Sequence, residues 1–255
     1  MKKLLIWLAG FIALCLLLTG CDLKEKYERP VEMPLSISAG QKLIVQTEVG
    51  SIKVSDCNAG QGSSIKAKIT GRADTIEKAK MVAEAAKINV EYKNNDVVIK
   101  INKPEAINKS WLSVDYTIEV PQETSLDCRT DVGNANISNI AGDIAVSCDV
   151  GSITCENARA KTNLKGNVGN IRLVYAEDAN IAVNANLSTD VGNIHFKGPK
   201  NMSAKFDAKT EVGSISSSLP LTVQEDFCKK SLSGTVGQGQ GNVQIQTDVG
   251  SIHIE

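Results

Sequence analysis

Thr247-Asp248-Val249-Gly250-Ser251-Ile252 states in full a pattern that recurs seven times, with its Val at 49, 132, 150, 168, 191, 212 and 249. The general form is Thr, an acid, Val-Gly, Ser or Asn, and Ile. The central copies are 18, 18, 23 and 21 residues apart, lengths that fit one turn of a coiled β-solenoid in which each turn stacks on the last. The expected fold is therefore all-β, a single-stranded β-helix or solenoid. With the Val as position 0, residues at −4, −2, 0, +3 and +5 are mostly apolar or Thr, as in Ile245, Thr247, Val249, Ile252 and Ile254. These are expected to face the core. Two residues between inward Val and inward Ile break the period of two, so Gly with Ser or Asn must form a corner, and Gly supplies the backbone freedom for it. Ala141-Gly142-Asp143-Ile144 marks a weaker corner half a turn on, giving two or three sides per turn.

The first twenty-one residues read as an export signal rather than part of the fold. Lys2 and Lys3 precede an apolar run from Leu4 to Leu18, which ends in Leu18-Thr19-Gly20-Cys21. The run is short and closely followed by Asp22, Lys24, Glu25 and Lys26, unlike a permanent span. Leu-Thr-Gly-Cys resembles the bacterial lipobox. That resemblance implies diacylglycerol on the Cys21 thiol and cleavage just before it; the alternative is an uncleaved anchor with an incidental Cys. Two or three acyl chains anchor firmly, because each buried methylene contributes about 0.8 kcal/mol. The expected organisation is a signal peptide over 1–20, a lipidated tether over 21–34 containing Pro30 and Pro34, and a β-solenoid over 35–255.

Strands are expected at 35–38, 42–48, 51–55 and 63–70. Asp74 and Glu77 then have capping-box spacing, and Ile76, Ala79, Val82, Ala83 and Ala86 form an apolar stripe. This predicts a short helix to about Ile88 that seals the N-terminal end of the solenoid or, alternatively, binds a partner. Ile88 to Tyr92 and Val97 to Ile101 flank Lys93-Asn94-Asn95-Asp96 and read as a hairpin. Val114, Tyr116, Ile118 and Val120 alternate as a half-buried strand. The stretch from Pro220 to Gly241 reads as a loop bulging out before the closing turn.

Without the signal, 26 basic residues face 29 acidic ones, with the signs interspersed. Nucleic acid is therefore not an expected partner. Trp111 is the single Trp outside the signal, so no stacking platform for sugars or bases is apparent. Cys57, Cys128, Cys148, Cys155 and Cys228 show no metal-ligand spacing. Cys128, Cys148 and Cys155 fall in repeat columns otherwise filled by apolar residues or Thr, which marks them as small core residues, with a disulfide as the alternative. His195 and His253, the only histidines, both occupy position +4 and are expected to point outward, uninvolved. No G-x-S-x-G or H-E-x-x-H motif occurs, and Gly237, Gly239 and Gly241 lack the Lys and helix of a phosphate loop. No catalytic residue, metal or cofactor is expected. The residues before each Val are Glu48, Asp131, Asp149, Asn167, Asp190, Glu211 and Asp248. They either form a cation ladder or accept hydrogen bonds from the N–H groups of the following corner.

The strand from Val114 to Pro121, the Thr-rich V-G-S/N-I turns such as Gly50-Ser51-Ile52, Gly151-Ser152-Ile153 and Gly250-Ser251-Ile252, the helix-hairpin segment and the lipobox together resemble the bacterial putative-adhesin family, which adopts a toast-rack β-helix. The resemblance covers about residues 35 to 255. It implies a solenoid exposed in the cell envelope with an undetermined ligand, and no catalytic residues to carry across. The first expectation for function is a lipid-anchored, non-catalytic module that binds an envelope protein, a polymer or its own kind. The second is a structural or stress-sensing scaffold that self-assembles through strand edges. The third is a polysaccharide-active enzyme, since β-helices host such chemistry.

Overall fold

The computed structural model describes residues 25–57, 62–103, 111–225 and 230–255; the signal and Cys21 lie outside these. The first strand is β1 (Glu25–Pro34). Each copy of the repeated pattern then joins a strand of one sheet to a strand of a second. The step takes β2 (Lys42–Val49) into β3 (Ile52–Asp56), β8 (Ser125–Val132) into β9 (Ala135–Ser138) and β10 (Ile144–Val150) into β11 (Ile153–Ala158). It recurs from β12 (Thr162–Val168) to β13 (Ile171–Tyr175), β14 (Asn184–Val191) to β15 (Ile194–Lys197), β16 (Ala204–Val212) to β17 (Ile215–Ser217) and β20 (Gly241–Val249) to β21 (Ile252–Ile254). Strands before the corner form sheet I and strands after it form sheet II, so each rung has two sides.

Equivalent strands pair in parallel and in register, as Val146 with Cys128 and Leu164 in sheet I and Ile153 with Ala135 and Ile171 in sheet II. The register puts like residues over like. Positions −4, −2, +3 and +5 fill the space between the sheets: Val146, Cys148, Ile153 and Cys155 of one rung are buried against Leu164, Ile171 and Leu173 of the next. Four side chains per rung, repeated along the stack, make one continuous apolar core. Cys128, Cys148 and Cys155 are free and buried in it.

The Gly of each corner is required by close approach as well as by conformation. Gly151 has φ 142°, and a Cβ there would lie 1.9 Å from the carbonyl oxygen of Gly133 in the rung beneath. The other corner glycines stand in the same relation, each over the carbonyl of the neighbouring rung. Thr at −2 serves that carbonyl. Thr130 Oγ1 donates to Gly50 O at 2.9 Å and Thr247 Oγ1 to Gly192 O at 2.9 Å, while Cys148 Sγ takes the same part toward Gly133 O at 3.0 Å. The recurrent Thr, Gly and Ile are thus parts of one corner design, in which hydroxyl, bare backbone and apolar side chain each satisfy the adjacent rung.

The order of rungs departs from simple succession. β20 lies between β14 and β16, and β21 between β15 and β17, so the rung latest in sequence is inserted into the stack. The stretch expected as a loop explains this. It contains β18 (Thr222–Glu225) and β19 (Lys230–Val236), and β19 pairs antiparallel with β16. With that edge of β16 occupied, the returning chain pairs with its other edge and with β14.

At the opposite end β6 (Asp96–Asn102) and β7 (Trp111–Val120) add to β2 and β3. Beyond them, β5 (Lys87–Lys93) and β4 (Ser64–Ala73) pair antiparallel with β6 and β7. The expected hairpin is β5–β6, turning at Asn94 with φ 54°. The helix is α1 (Ile76–Ala85), capped by Thr75 rather than Asp74: the Thr75 side chain accepts from Lys78 N. It buries Ala79, Val82 and Ala83 and packs against β1 and β4, and Arg29 of β1 donates to the carbonyls of Ala83 and Ala86 at its C-terminal end. Two expectations for the N-terminal region are corrected. Residues 35–38 are not a strand, and residues 25–34 are not a free tether but β1, paired along its full length with β4. Pro30 and Pro34 fit because β1 is the outermost strand of sheet II, where a missing N–H breaks no essential ladder bond.

Candidate binding surface

The corner is where the sequence reading of side-chain direction fails, and the failure creates a surface. Val at position 0 does not face the core. Val132, Val150, Val168, Val191, Val212 and Val249 are 45% to 62% exposed, and Val49 is half-buried. Strand alternation ends one residue earlier than a Gly-centred bend implies: Thr at −2 is the last inward residue of sheet I, its hydroxyl held by the glycine carbonyl. The acid, Val, Gly and Ser or Asn therefore all lie on the outside of the turn.

Register places the seven valines in one line. Val132 pairs with Val49 and Val150, Val168 with Val150 and Val191, and Val249 with Val191 and Val212. At about 4.8 Å per rung, the line runs for about 29 Å along the edge of the stack. Exposed valines scattered singly need no explanation, but a contiguous apolar line does.

Polar columns flank this line on both sides. On the Ser/Asn side, side-chain oxygens accept the backbone N–H of the equivalent residue in the next rung: Ser152 N donates to Asn134 Oδ1 at 2.9 Å, Asn193 N to Asn170 Oδ1 at 2.8 Å and Ser251 N to Asn193 Oδ1 at 2.8 Å, while Ser214 bonds Ser251 hydroxyl to hydroxyl. Bonding of corner N–H groups, expected of the acids, is the work of this column. Three of the acids, Glu48, Asp131 and Asp149, make exposed ion pairs instead. Arg129 reaches both Asp131 and Asp149, at 3.4 and 3.9 Å, Asn167 donates to Asp149, and Lys103 pairs with Glu48. A cationic side chain thus already bridges two acids of the proposed cation ladder.

The remaining sequence candidates are placed as follows. Burial pushes the Cys128 and Cys155 thiols up to about 12, so neither supplies a reactive thiolate. Cys228 and Cys21 lie outside the described residues. His195 and His253 do face outward, but they are side by side, with ring centroids 5.3 Å apart. Burial, with the Arg172 guanidinium beside it, holds His195 below the usual histidine range. Their shared +4 position was a sequence signal for one column; their adjacency depends on the inserted rung. Among the described residues, no helix is long and apolar enough to cross a membrane.

Residues 149–255 match the family described as Toastrack DUF4097. Over 89% of this chain and 99% of its own, the fold is similar to that of a "putative cell adhesion protein" from Clostridium sporogenes, with TM-score 0.53 and 16% identity. A "putative adhesin" from Bacteroides fragilis aligns over 91% of this chain and 97% of its own, at TM-score 0.37 and 16% identity. No curated protein matches in sequence. The toast-rack resemblance read from the V-G-S/N-I turns is thus met by a family match over the C-terminal rungs and by a shared fold over most of the chain.

Proposed function

We propose that this protein is a lipid-anchored, non-catalytic component of the bacterial cell envelope that binds an envelope protein or polymer along the valine edge of its solenoid. The carrying observation is the register-aligned line of exposed valines between an acidic column and a Ser/Asn column. A line about 29 Å long suits an extended partner laid along the stack, with apolar contacts at the centre and polar ones at the rim. The description of the Clostridium sporogenes structure with this fold as a "putative cell adhesion protein" agrees with the reading.

Self-assembly through open edges is the weaker reading. At one end sheet II terminates in β1, which carries two prolines and the charged residues Glu25, Lys26, Glu28, Arg29 and Glu32. At the other it terminates in β17, only three residues long. Both are devices that discourage edge pairing. We read the short helix packed on β1 and β4 as the cap of the N-terminal end.

Anchoring is carried by Leu18-Thr19-Gly20-Cys21. In cells fed labelled palmitate, the wild-type chain is expected to carry label and to partition with membranes. Cys21→Ser should remove the label while leaving a folded, β-rich domain, because Cys21 precedes β1 and every core position. Continued acyl labelling of Cys21→Ser would refute the anchor.

A further inference from the structure

His195 and His253, far apart in sequence, are direct partners in the parallel pairing of β15 with β21. Their neighbours Ile194, Phe196, Ile252 and Ile254 fill the core, so both imidazoles project from the outer face of sheet II. Glu255 joins them on that face. Its Oε1 lies 2.8 Å from His253 Nε2 and 3.6 Å from His195 Nε2. One ligand atom from each of the three residues falls within 4.8 Å of the others. His195 Nε2 is closed off from solvent and has no hydrogen-bond partner, a state that leaves a ring nitrogen uncompensated.

We propose that His195, His253 and Glu255 form a binding site for a divalent transition metal of the zinc class. Two imidazoles and one carboxylate suit zinc, nickel or copper, whereas calcium and magnesium favour all-oxygen sites. Metal–ligand bonds of about 2.0–2.2 Å in tetrahedral geometry put ligand atoms about 3.3 Å apart. The observed 2.8 and 3.6 Å separations from Glu255 Oε1 bracket that value. Small rotations of the His253 and Glu255 side chains, the more exposed of the three, would admit the ion beside His195. With three protein ligands, at least one coordination position stays open toward solvent.

The surroundings set each ring's tautomer. Ser216 Oγ lies 2.8 Å from His253 Nδ1; when Nδ1–H donates to it, the Nε2 lone pair faces the site. Arg172 acts against binding at the other ring. Its guanidinium donates to His195 Nδ1, which places the ring proton on Nε2. Arg172 also pairs with Glu156, Nε to Oε1 at 3.6 Å, and a swing to that partner would free Nδ1. The ring proton then moves from Nε2 to Nδ1 with no net change, and the Nε2 lone pair turns to the metal. Arg172 is therefore a positioning residue that weakens the site.

The chain has only two histidines, so the test reads both rings directly by NMR during titration of the full, untagged protein with zinc chloride. One equivalent should shift both rings together. His195→Ala and His253→Ala should each weaken binding by about tenfold or more. Arg172→Ala should tighten it several-fold, a gain that a merely structural role for Arg172 would not produce. All three side chains lie outside the core, and thermal melts verify that the variants fold. Rings that do not move at millimolar zinc, or a zinc affinity by titration calorimetry that is unchanged when His195 and His253 are both replaced by Ala, would overturn the proposal.

Discussion

Gly151→Ala is expected to lower the melting temperature by about 10 °C or more, or to prevent folding, corresponding to a loss of about 3–5 kcal/mol. Two costs coincide at this residue. Its φ of 142° is a conformation that side chains with a Cβ rarely adopt, and the added carbon would sit 1.9 Å from Gly133 O. That oxygen cannot move aside. It belongs to the backbone of the next corner and accepts from Cys148 Sγ, while Gly151 N itself donates to Val168 O at 2.9 Å. Relieving the clash would spread the rungs and break the ladder on both sides. Gly62→Ala is the control, since a Cβ there meets nothing within 4 Å, and its melt should match the wild type.

Ile153→Asp should cost a similar amount through a different mechanism. Ile153 is 1% exposed, stacked in register between Ala135 and Ile171. A carboxylate there would lie between the apolar side chains of Ala135 and Ile171, and burying it costs several kcal/mol whether it stays charged or takes up a proton. The adjacent Ser152→Asp should be nearly neutral. Ser152 Oγ lies outside the core and accepts Asn170 N, a bond that a carboxylate oxygen can also make. Melts of the two variants compare inward with outward directions one residue apart; equal losses would contradict the assigned parity.

The place of each corner was legible in the sequence because it repeats. Recurrence of Val-Gly-Ser/Asn predicted the coil, and period-two alternation predicted the buried columns at −4, −2, +3 and +5. What the repeat could not convey was where alternation stops within the bend. Val at 0 reads as apolar and therefore inward, yet the Thr hydroxyl bonded to a glycine carbonyl ends the inward face at −2.

The order of rungs was hidden for another reason. Stacking depends on which strand edges remain free, and β19 on the edge of β16 is a long-range fact. The gap from Val212 to Val249, much longer than its neighbours, was the available signal. Its composition reads as a loop, where the structure holds a hairpin followed by a return. The pairing of His195 with His253 was lost with it. In β1, the prolines obscured the alternation of Tyr27, Val31 and Met33, which pack against the core from an edge strand.

The claim at the centre of this account is that the valine edge is a binding face rather than a structural by-product of the corner. Val132, Val150 and Val168 can be changed together to Thr, which keeps the β-branched shape that suits the strand while making the line polar. The direct measurement is retention of the full chain and of this triple variant by envelope isolated from the source cells, with melts run in parallel. The wild type is expected to be retained, and the variant, melting within a few degrees of it, to lose about tenfold or more in affinity. Equal retention of the two proteins would contradict the claim and move the binding face elsewhere on the solenoid.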